Sequence, residues 1–211
     1  QQMSIFSKYC VIQNTLFCLD EELTANISID QCQIFNLIAP FAKVIKENCF
    51  SGWKQLRYAY CPMLEVIQDN GFKLCQCLQT VVGDQIKNIQ SMAFYFCFNL
   101  TKINLEHVIT FGRGSFYATG IVSIKNNEAK TLEQVFRFND TLQQIEFAQL
   151  NEVNQNEFLE SKSFEHIRLP KLSNFNWKNT HIENKQKQAI KYTISKDTHE
   201  SWGPEYVRED F

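Results

Sequence analysis

Residues 72–116 read FKLCQCLQTVVGDQIKNIQSMAFYFCFNLTKINLEHVITFGRGSF. Phenylalanine opens this stretch, stands at its middle and closes it, in steps of 22 residues. The spacing continues in both directions with one step shortened to 20, and the full series is Phe50, Phe72, Phe94, Phe116, Phe136 and Phe158. A fixed spacing of this length is typical of proteins built from stacked structural repeats. We call each repeat a coil and number its positions from its phenylalanine, position zero.

Four further columns of apolar residues share this register. The coils that begin at Phe50, Phe72, Phe94, Phe136 and Phe158 are apolar at +6, +9, +14 and +17. All twenty places are apolar, against roughly nine expected for a chain that is 44% apolar. They are Leu56, Leu78, Leu100, Leu142 and Phe164; Ala59, Val81, Ile103, Ile145 and Ile167; Leu64, Ile86, Val108, Leu150 and Leu172; and Ile67, Ile89, Phe111, Val153 and Phe175. The repeat is therefore established by columns that the phenylalanines did not define.

The coils at the two irregular places fit the same register. In the coil that begins at Phe116, two single-residue deletions restore Ile121, Ile124, Ala129 and Leu132 to the four columns. Upstream, Ser28 replaces the phenylalanine of a coil whose columns hold Ile34, Leu37, Ala42 and Ile45. A blurred first coil begins at Phe6 and places Ile12, Phe17 and Leu23 near their columns. Pro40, Pro62 and Pro170 all fall at +12.

The columns predict strands and exclude pairs of amphipathic helices. Positions 0, +6 and +9 do not lie on one side of a helix, whereas residues 100–105 and 164–169 alternate as in a strand. Proline at +12 suits a strand end, because the missing N–H matters little there. A second extended segment is expected at +14 to +17, and about one helical or 3₁₀ turn around each Phe. Neighbouring coils then stack as parallel strands about 4.8 Å apart around an internal ladder of Phe rings.

Several phrases of this repeat resemble the BspA-like leucine-rich repeat of bacterial and protist surface proteins. They are Ile89-x₄-Phe94-x₂-Cys97-x₂-Leu100-x₂-Ile103-x-Leu105, the Thr119-Gly120 variant, and Ile167-Arg168-Leu169-Pro170. The resemblance covers residues 28–175. It implies a right-handed, β-rich leucine-rich-repeat solenoid with a parallel sheet on one face and short helical, 3₁₀ or extended segments on the other, as in a horseshoe. It also implies adhesion or protein recognition at a cell surface or in a secreted protein.

This register divides the chain into two parts. Residues 1–175 are expected to form a solenoid of seven or eight coils, of which the first one or two are degenerate. Residues 176–211 are more polar and are expected to form a C-terminal cap and a polar tail, because a solenoid must cover its last apolar layer. A linker into a further domain is the alternative.

The predicted ligand-binding residues lie at +8 and +10, on either side of the buried +9 residue, and point outward. At +8 stand Tyr58, Thr80, Lys102, Ser123, Gln144 and His166; at +10 stand Tyr60, Val82, Asn104, Lys125, Glu146 and Arg168. Tyr58 and Tyr60, with Arg57 beside them, have the composition favoured at interface hot spots. We expect a protein or glycan ligand on this face; an ordinary solvated sheet face is the alternative.

The eight cysteines favour structure over chemistry. Cys75 and Cys97 share the +3 column and Cys61 lies inward, which favours buried thiols over a Cys75–Cys97 disulfide. No pair of cysteines has zinc-ligand spacing, so neither a metal nor a cofactor is expected. Acceptor patterns for N-glycosylation occur at Asn26, Asn99 and Asn139, of which Asn139 falls in the inward column.

Charge and motifs exclude several function classes. The 21 basic and 23 acidic residues are scattered, so no basic field for nucleic acid exists. No apolar run is long enough to cross a bilayer, and the opening residues lack a signal peptide. The chain does not begin with Met, so an internal fragment of a longer protein, with a signal or anchor outside this sequence, is the alternative. The four histidines lack motif partners and no enzyme is expected, although a catalytic Cys–His pair stays open. An intracellular scaffold is the second functional hypothesis, and the oligomeric state is left open.

Overall fold

The computed structural model describes residues 9–154, 157–158 and 165–172. Within these residues the chain winds through successive coils that stack on one another, each with a strand on the front side and a strand on the back. The front strands are β1 (Tyr9–Ile12), β2 (Thr15–Cys18), β4 (Asn36–Ile38), β6 (Tyr58–Tyr60), β8 (Thr80–Val82), β10 (Lys102–Ile103), β12 (Ser123–Asn126), β14 (Gln144–Phe147) and β16 (His166–Arg168). The back strands are β3 (Glu22–Leu23), β5 (Val44–Ile45), β7 (Val66–Ile67), β9 (Asn88–Ile89), β11 (Thr110–Phe111), β13 (Thr131–Leu132) and β15 (Glu152–Val153).

The strands pair in the predicted register. The front sheet runs β1-β2-β4-β6-β8-β10 and then β12-β14-β16, and the back sheet runs β3-β5-β7-β9-β11 and then β13-β15. Every pair except β1–β2 is parallel; Ala59, for example, lies opposite Leu37 and Val81. The +9 residues of the front strands face the +17 residues of the back strands across an apolar interior. The parallel solenoid and the extended back segments are thereby confirmed.

The phenylalanines form the predicted internal ladder. All six are fully buried. Ring centroids are 5.4 Å apart between Phe50 and Phe72, 5.3 Å between Phe72 and Phe94, and 5.1 Å between Phe94 and Phe116. The shortened step from Phe116 to Phe136 keeps the stacking at 5.4 Å. Each ring pair stabilises the coil interface by about 0.5–1.5 kcal/mol beyond the burial of apolar area.

The segment around each Phe differs from the expected helical or 3₁₀ turn. Within the described residues, 3₁₀ helix occurs at Gln31–Gln33, whereas the Phe segments are turns with left-handed residues at −2 and +2. These residues, with φ between 53° and 78°, are Asn48, Asn70, Met92, Gly114 and Gln134, and Gly52, Leu74, Phe96, Ala118 and Phe138. The left-handed residues turn the Phe N–H toward the next coil: that of Phe50 donates to Gly71 O and that of Phe72 to Ala93 O, both at 2.8 Å. Bonds between coils thus replace bonds within a helix.

The first coil is a hairpin. β1 and β2 pair antiparallel through a tight turn at Gln13 and Asn14, whose φ values are 45° and 61°. Leu16 occupies the buried front position opposite Leu37, and Leu23 lies opposite Ile45 as predicted. The expectation that Ile12 lies near an apolar column is wrong, since this side chain is 58% exposed. The hairpin shifts the first coil out of the predicted register, because β1 forms its backbone hydrogen bonds with β2 and not with the next coil.

Both sheets are interrupted at the shortened coil. Within residues 9–154, β10 does not pair with β12, nor β11 with β13. The backbone at Gly120 runs directly against the preceding coil. A Cβ added at this residue would lie only 2.5 Å from Phe98 O, so the close approach requires glycine. Buried amides replace the missing ladder bonds: Asn126 Nδ2 donates to Leu105 O at 2.7 Å and Val108 O at 2.8 Å. At the predicted deletions, side-chain hydrogen bonds therefore take the place of backbone hydrogen bonds between coils.

The predicted cap and tail at 176–211 lie outside the described residues, as do Phe164 and Phe175 of the apolar columns.

Candidate functional site

The front sheet places the predicted outward residues in two parallel files. In the +8 file, Tyr58 lies opposite Thr80 and Thr80 opposite Lys102, while Gln144 lies between Ser123 and His166. In the +10 file, Tyr60 lies opposite Val82, and Glu146 lies between Lys125 and Arg168. The interruption between β10 and β12 divides the predicted ligand-binding face into an N-terminal part on β2 to β10 and a C-terminal part on β12 to β16. Each part therefore has its own surface chemistry.

The N-terminal part is aromatic and apolar. Phe17 and Ile38 extend the +10 file upstream of Tyr60, because Phe17 lies opposite Ile38 and Ile38 opposite Tyr60. Ile38 was missed, although continuing the +10 column into the coil of Ser28 would have found it. The expectation that Phe17 lies near an inward apolar column is wrong, since this residue belongs to the outward file between the buried Leu16 and Cys18. Tyr60 is 37% exposed. The file is a row of apolar side chains on an outward face, which is typical of a contact surface.

Polar groups border this apolar row. The Arg57 guanidinium lies over the Phe35 ring, 4.5 Å from its centroid, so a cation is held beside Tyr58. At the far end, Asn104 follows β10 and its Nδ2 donates to Asp84 Oδ1 at 3.0 Å. Lys102 is exposed in the neighbouring file. An aromatic centre with a cationic and amide rim suits a macromolecular ligand.

Charged side chains of the C-terminal part are held in ion pairs. Lys125 Nζ lies 2.9 Å from Glu106 Oε1, and Arg168 Nη1 lies 2.9 Å from Glu146 Oε1. The hydrogen bond from Lys125 lowers the pKa of Glu106, and the same bond raises the pKa of Lys125. These exposed pairs contribute little stability.

The cysteines are free thiols, and five of the eight are buried. Cys75 Sγ donates to Phe50 O and Cys97 Sγ to Phe72 O, both at 3.0 Å. The +3 column thus ties each coil to the carbonyl of the preceding Phe, which agrees with the buried-thiol interpretation. Burial raises the pKa of Cys61 and Cys97 to about 12, so these thiols are poor nucleophiles.

Asn139 occupies the same column and is fully buried, so its glycosylation is incompatible with this fold. Asn26 and Asn99 are exposed, and the Nδ2 of Asn99 donates to Gln76 O at 2.7 Å. Among the described residues, no three His, Cys, Asp or Glu side chains are grouped to hold a metal ion. In that same part of the chain, no helix has the length and apolarity needed to cross a membrane.

The coils, the apolar interior and the outward front sheet together define a leucine-rich-repeat solenoid. More particularly, the chain belongs to the BspA-type leucine-rich repeat family, whose model, the BspA type leucine rich repeat region, matches residues 26–132 and 65–187 with six copies.

Comparison with curated proteins gives no match. Among solved structures, the chain is similar to the crystal structure of the pneumococcal vaccine antigen PcpA, with 15% sequence identity and a TM-score of 0.49. The similarity covers 86% of this chain and 45% of that one, so the chain spans less than half the length of that structure.

Proposed function

We propose that the chain is a non-enzymatic recognition module of an adhesion-type surface or secreted protein, and that it binds a protein or glycan on the outward front sheet. The observation that carries the proposal is the row of aromatic and apolar side chains around Tyr58 and Tyr60 on an outward sheet face. Aromatic residues ringed by polar groups are the usual centres of binding energy at interfaces. Membership in a repeat family found in surface proteins supports the same role.

The test compares two variants on arrays of glycans and purified extracellular proteins. Replacing Tyr58 and Tyr60 together by Ala is expected to weaken any ligand of the wild-type protein by at least about tenfold, since hot-spot side chains contribute about 2 kcal/mol or more. The matched control replaces Asn88 and Thr110, outward residues of the back sheet, and is expected to leave affinity unchanged. Ligand binding that survives the first variant with the fold intact would contradict the proposal.

The free thiols favour a second candidate, an intracellular scaffold with the same fold. Eight unpaired cysteines are typical of a reducing compartment. The two candidates are separated by titrating thiols in the denatured protein from its own cells, without reductant. Eight free thiols together with no labelling of intact cells by a membrane-impermeant reagent would support the scaffold. Surface labelling would support the adhesion module.

A further inference from the structure

The corner between the front and back sheets is apolar in the first three coils and polar afterwards. Its +13 column holds Leu19, Phe41 and Met63, which are 63%, 55% and 39% exposed. The same column continues with Gln85 and His107. Large apolar side chains with such exposure, in register on successive coils, form a contiguous patch, and such patches mark interaction surfaces in soluble proteins. This corner lies beside the front face, so a partner that docks on the corner leaves the front face uncovered.

A row of alternating charges runs beside the apolar corner at +15. Glu21, Lys43, Glu65 and Lys87 occupy it in four successive coils. Backbone bonds keep them in register, since Lys43 N–H donates to Glu21 O at 2.8 Å, and Glu65 N–H to Lys43 O and Lys87 N–H to Glu65 O at 2.9 Å. The backbones of successive members of the row are therefore about 4.8 Å apart along the solenoid.

One half of this row is paired within the chain and the other half is not. Lys43 Nζ lies 3.0 Å from Glu21 Oε2. Among the described residues, Glu65 and Lys87 have no ion-pair partner within 4.0 Å. The ion pair between Lys43 and Glu21 joins two neighbouring coils of one chain. Within the part of the chain that the structure describes, the charges of Glu65 and Lys87 have no such role. Two unpaired charges of opposite sign beside an apolar patch indicate a partner with the reverse order of charges.

We propose that this partner is a second copy of the chain, docked antiparallel through a two-fold axis that lies across the corner between the second and third coils. Such an axis reverses the order of the coils and places each +15 row against itself. Glu65 then meets Lys43 of the other copy, and Lys87 meets its Glu21. All four positions meet an opposite charge, and each contact occurs twice in the dimer.

In the second and third coils the same axis places apolar side chains on apolar side chains, whereas Leu19 of the first coil meets Gln85 of the other copy. Phe41 of one copy meets Met63 of the other, again twice, next to the half-buried Val44 and Val66 of the back sheet. Burial of these side chains drives association, whereas the charges select the antiparallel register. The proposal does not depend on the ligand of the front sheet.

Light scattering and sedimentation equilibrium on the purified chain test the dimer. The wild-type mass is expected to rise with concentration from 24.7 kDa to twice that value. Glu65→Lys and Lys43→Glu each set like charges against each other twice, and each is expected to raise the dissociation constant at least about tenfold. The double variant Lys43→Glu with Glu65→Lys restores opposite charges and is expected to dimerise again.

Lys130→Glu is the matched control, because Lys130 holds the +15 position of the shortened coil, far from the proposed axis. It is expected to dimerise like the wild type, and circular dichroism checks that every variant is folded. A wild-type mass that stays at 24.7 kDa at all concentrations would overturn the proposal. So would a double variant no more dimeric than the single ones, since only pairing of the row with itself predicts the rescue.

Discussion

At the scale of single residues, buried polar side chains replace backbone bonds where the repeat is irregular. Asn139 accepts from Thr119 N–H at 2.7 Å and from Thr119 Oγ1 at 2.8 Å. Its Nδ2 donates to Phe116 O at 2.7 Å and Phe136 O at 2.8 Å. In the regular coils a cysteine thiol at this position makes a similar bond to a Phe carbonyl. One amide therefore ties the Phe136 turn to the Phe116 turn of the shortened coil.

Replacing Asn139 by Ala is expected to lower the free energy of unfolding by about 3 kcal/mol or more, because buried donors and acceptors lose their partner. Urea unfolding measures the loss. The control is Asn99→Ala, which removes an exposed amide and is expected to cost less than about 1 kcal/mol. Equal losses for the two variants would show that burial of the Asn139 network contributes nothing.

Glu157 makes stability depend on pH. Its Oε1 accepts from Val135 N–H and Phe136 N–H, both at 2.6 Å, and burial raises its pKa from 4.5 to about 7 in spite of these bonds. The folded chain therefore retains a proton that the unfolded chain releases, so the free energy of unfolding falls as pH rises from about 4.5 to about 7.

Urea unfolding at pH 5 and pH 8 is expected to show wild-type protein that is less stable at the higher pH. The variant Glu157→Gln cannot lose a proton and is expected to show a smaller difference between the two values. A wild-type protein that is more stable at pH 8, by an amount that Glu157→Gln removes, would contradict the raised pKa.

At the scale of elements, the turns on both sides of the five Phe residues from Phe50 to Phe136 depend on left-handed backbone. This conformation is unfavourable for residues with a Cβ by roughly 1–2 kcal/mol. The chain nevertheless places Leu74, Phe96 and Phe138 there, with φ values of 61°, 60° and 59°. The bonds between coils outweigh this local strain, as in Leu74 N–H, which donates to Tyr95 O at 2.8 Å.

Gly52→Ala measures the strain directly. Gly52 has a φ of 78°, and a Cβ added there would contact no atom within 4 Å. Any destabilisation therefore comes from the backbone, and we expect about 1 kcal/mol. Ser51→Ala, in the same turn but outside the left-handed region, is the control, with a change of less than about 0.5 kcal/mol. A Gly52→Ala variant as stable as the control would mean that the turn relaxes.

At the scale of the whole molecule, stability arises between neighbouring coils. Within the described residues, the strands of adjacent coils pair except at the shortened coil, and the rings from Phe50 to Phe136 stack in succession. A solenoid of this kind behaves as a one-dimensional array, in which a local change is felt by the nearest repeats. The interruption of both sheets at the shortened coil also separates the aromatic part of the front face from its ion-paired part.

Phe94→Ala removes a ring from the middle of the ladder and is expected to destabilise the protein by about 3–5 kcal/mol. Hydrogen exchange should show the greatest loss of protection in the coils of Phe72, Phe94 and Phe116. Phe98→Ala is the control, because that ring is 50% exposed. Uniform loss of protection over all coils would indicate a single cooperative unit instead of an array.

The period, the buried columns and the outward positions of the candidate site could all be predicted from the order of the residues. These follow from alternation along a strand and from apolar burial, which adjacent residues already express. The folded chain was needed to find the left-handed turns, the hairpin of the first coil, the interruption that divides the front face, and the apolar corner beside alternating charges. The hairpin depends on pairing within residues 9–18. The other features depend on bonds or contacts between residues about 22 positions apart, so no single stretch of sequence encodes them.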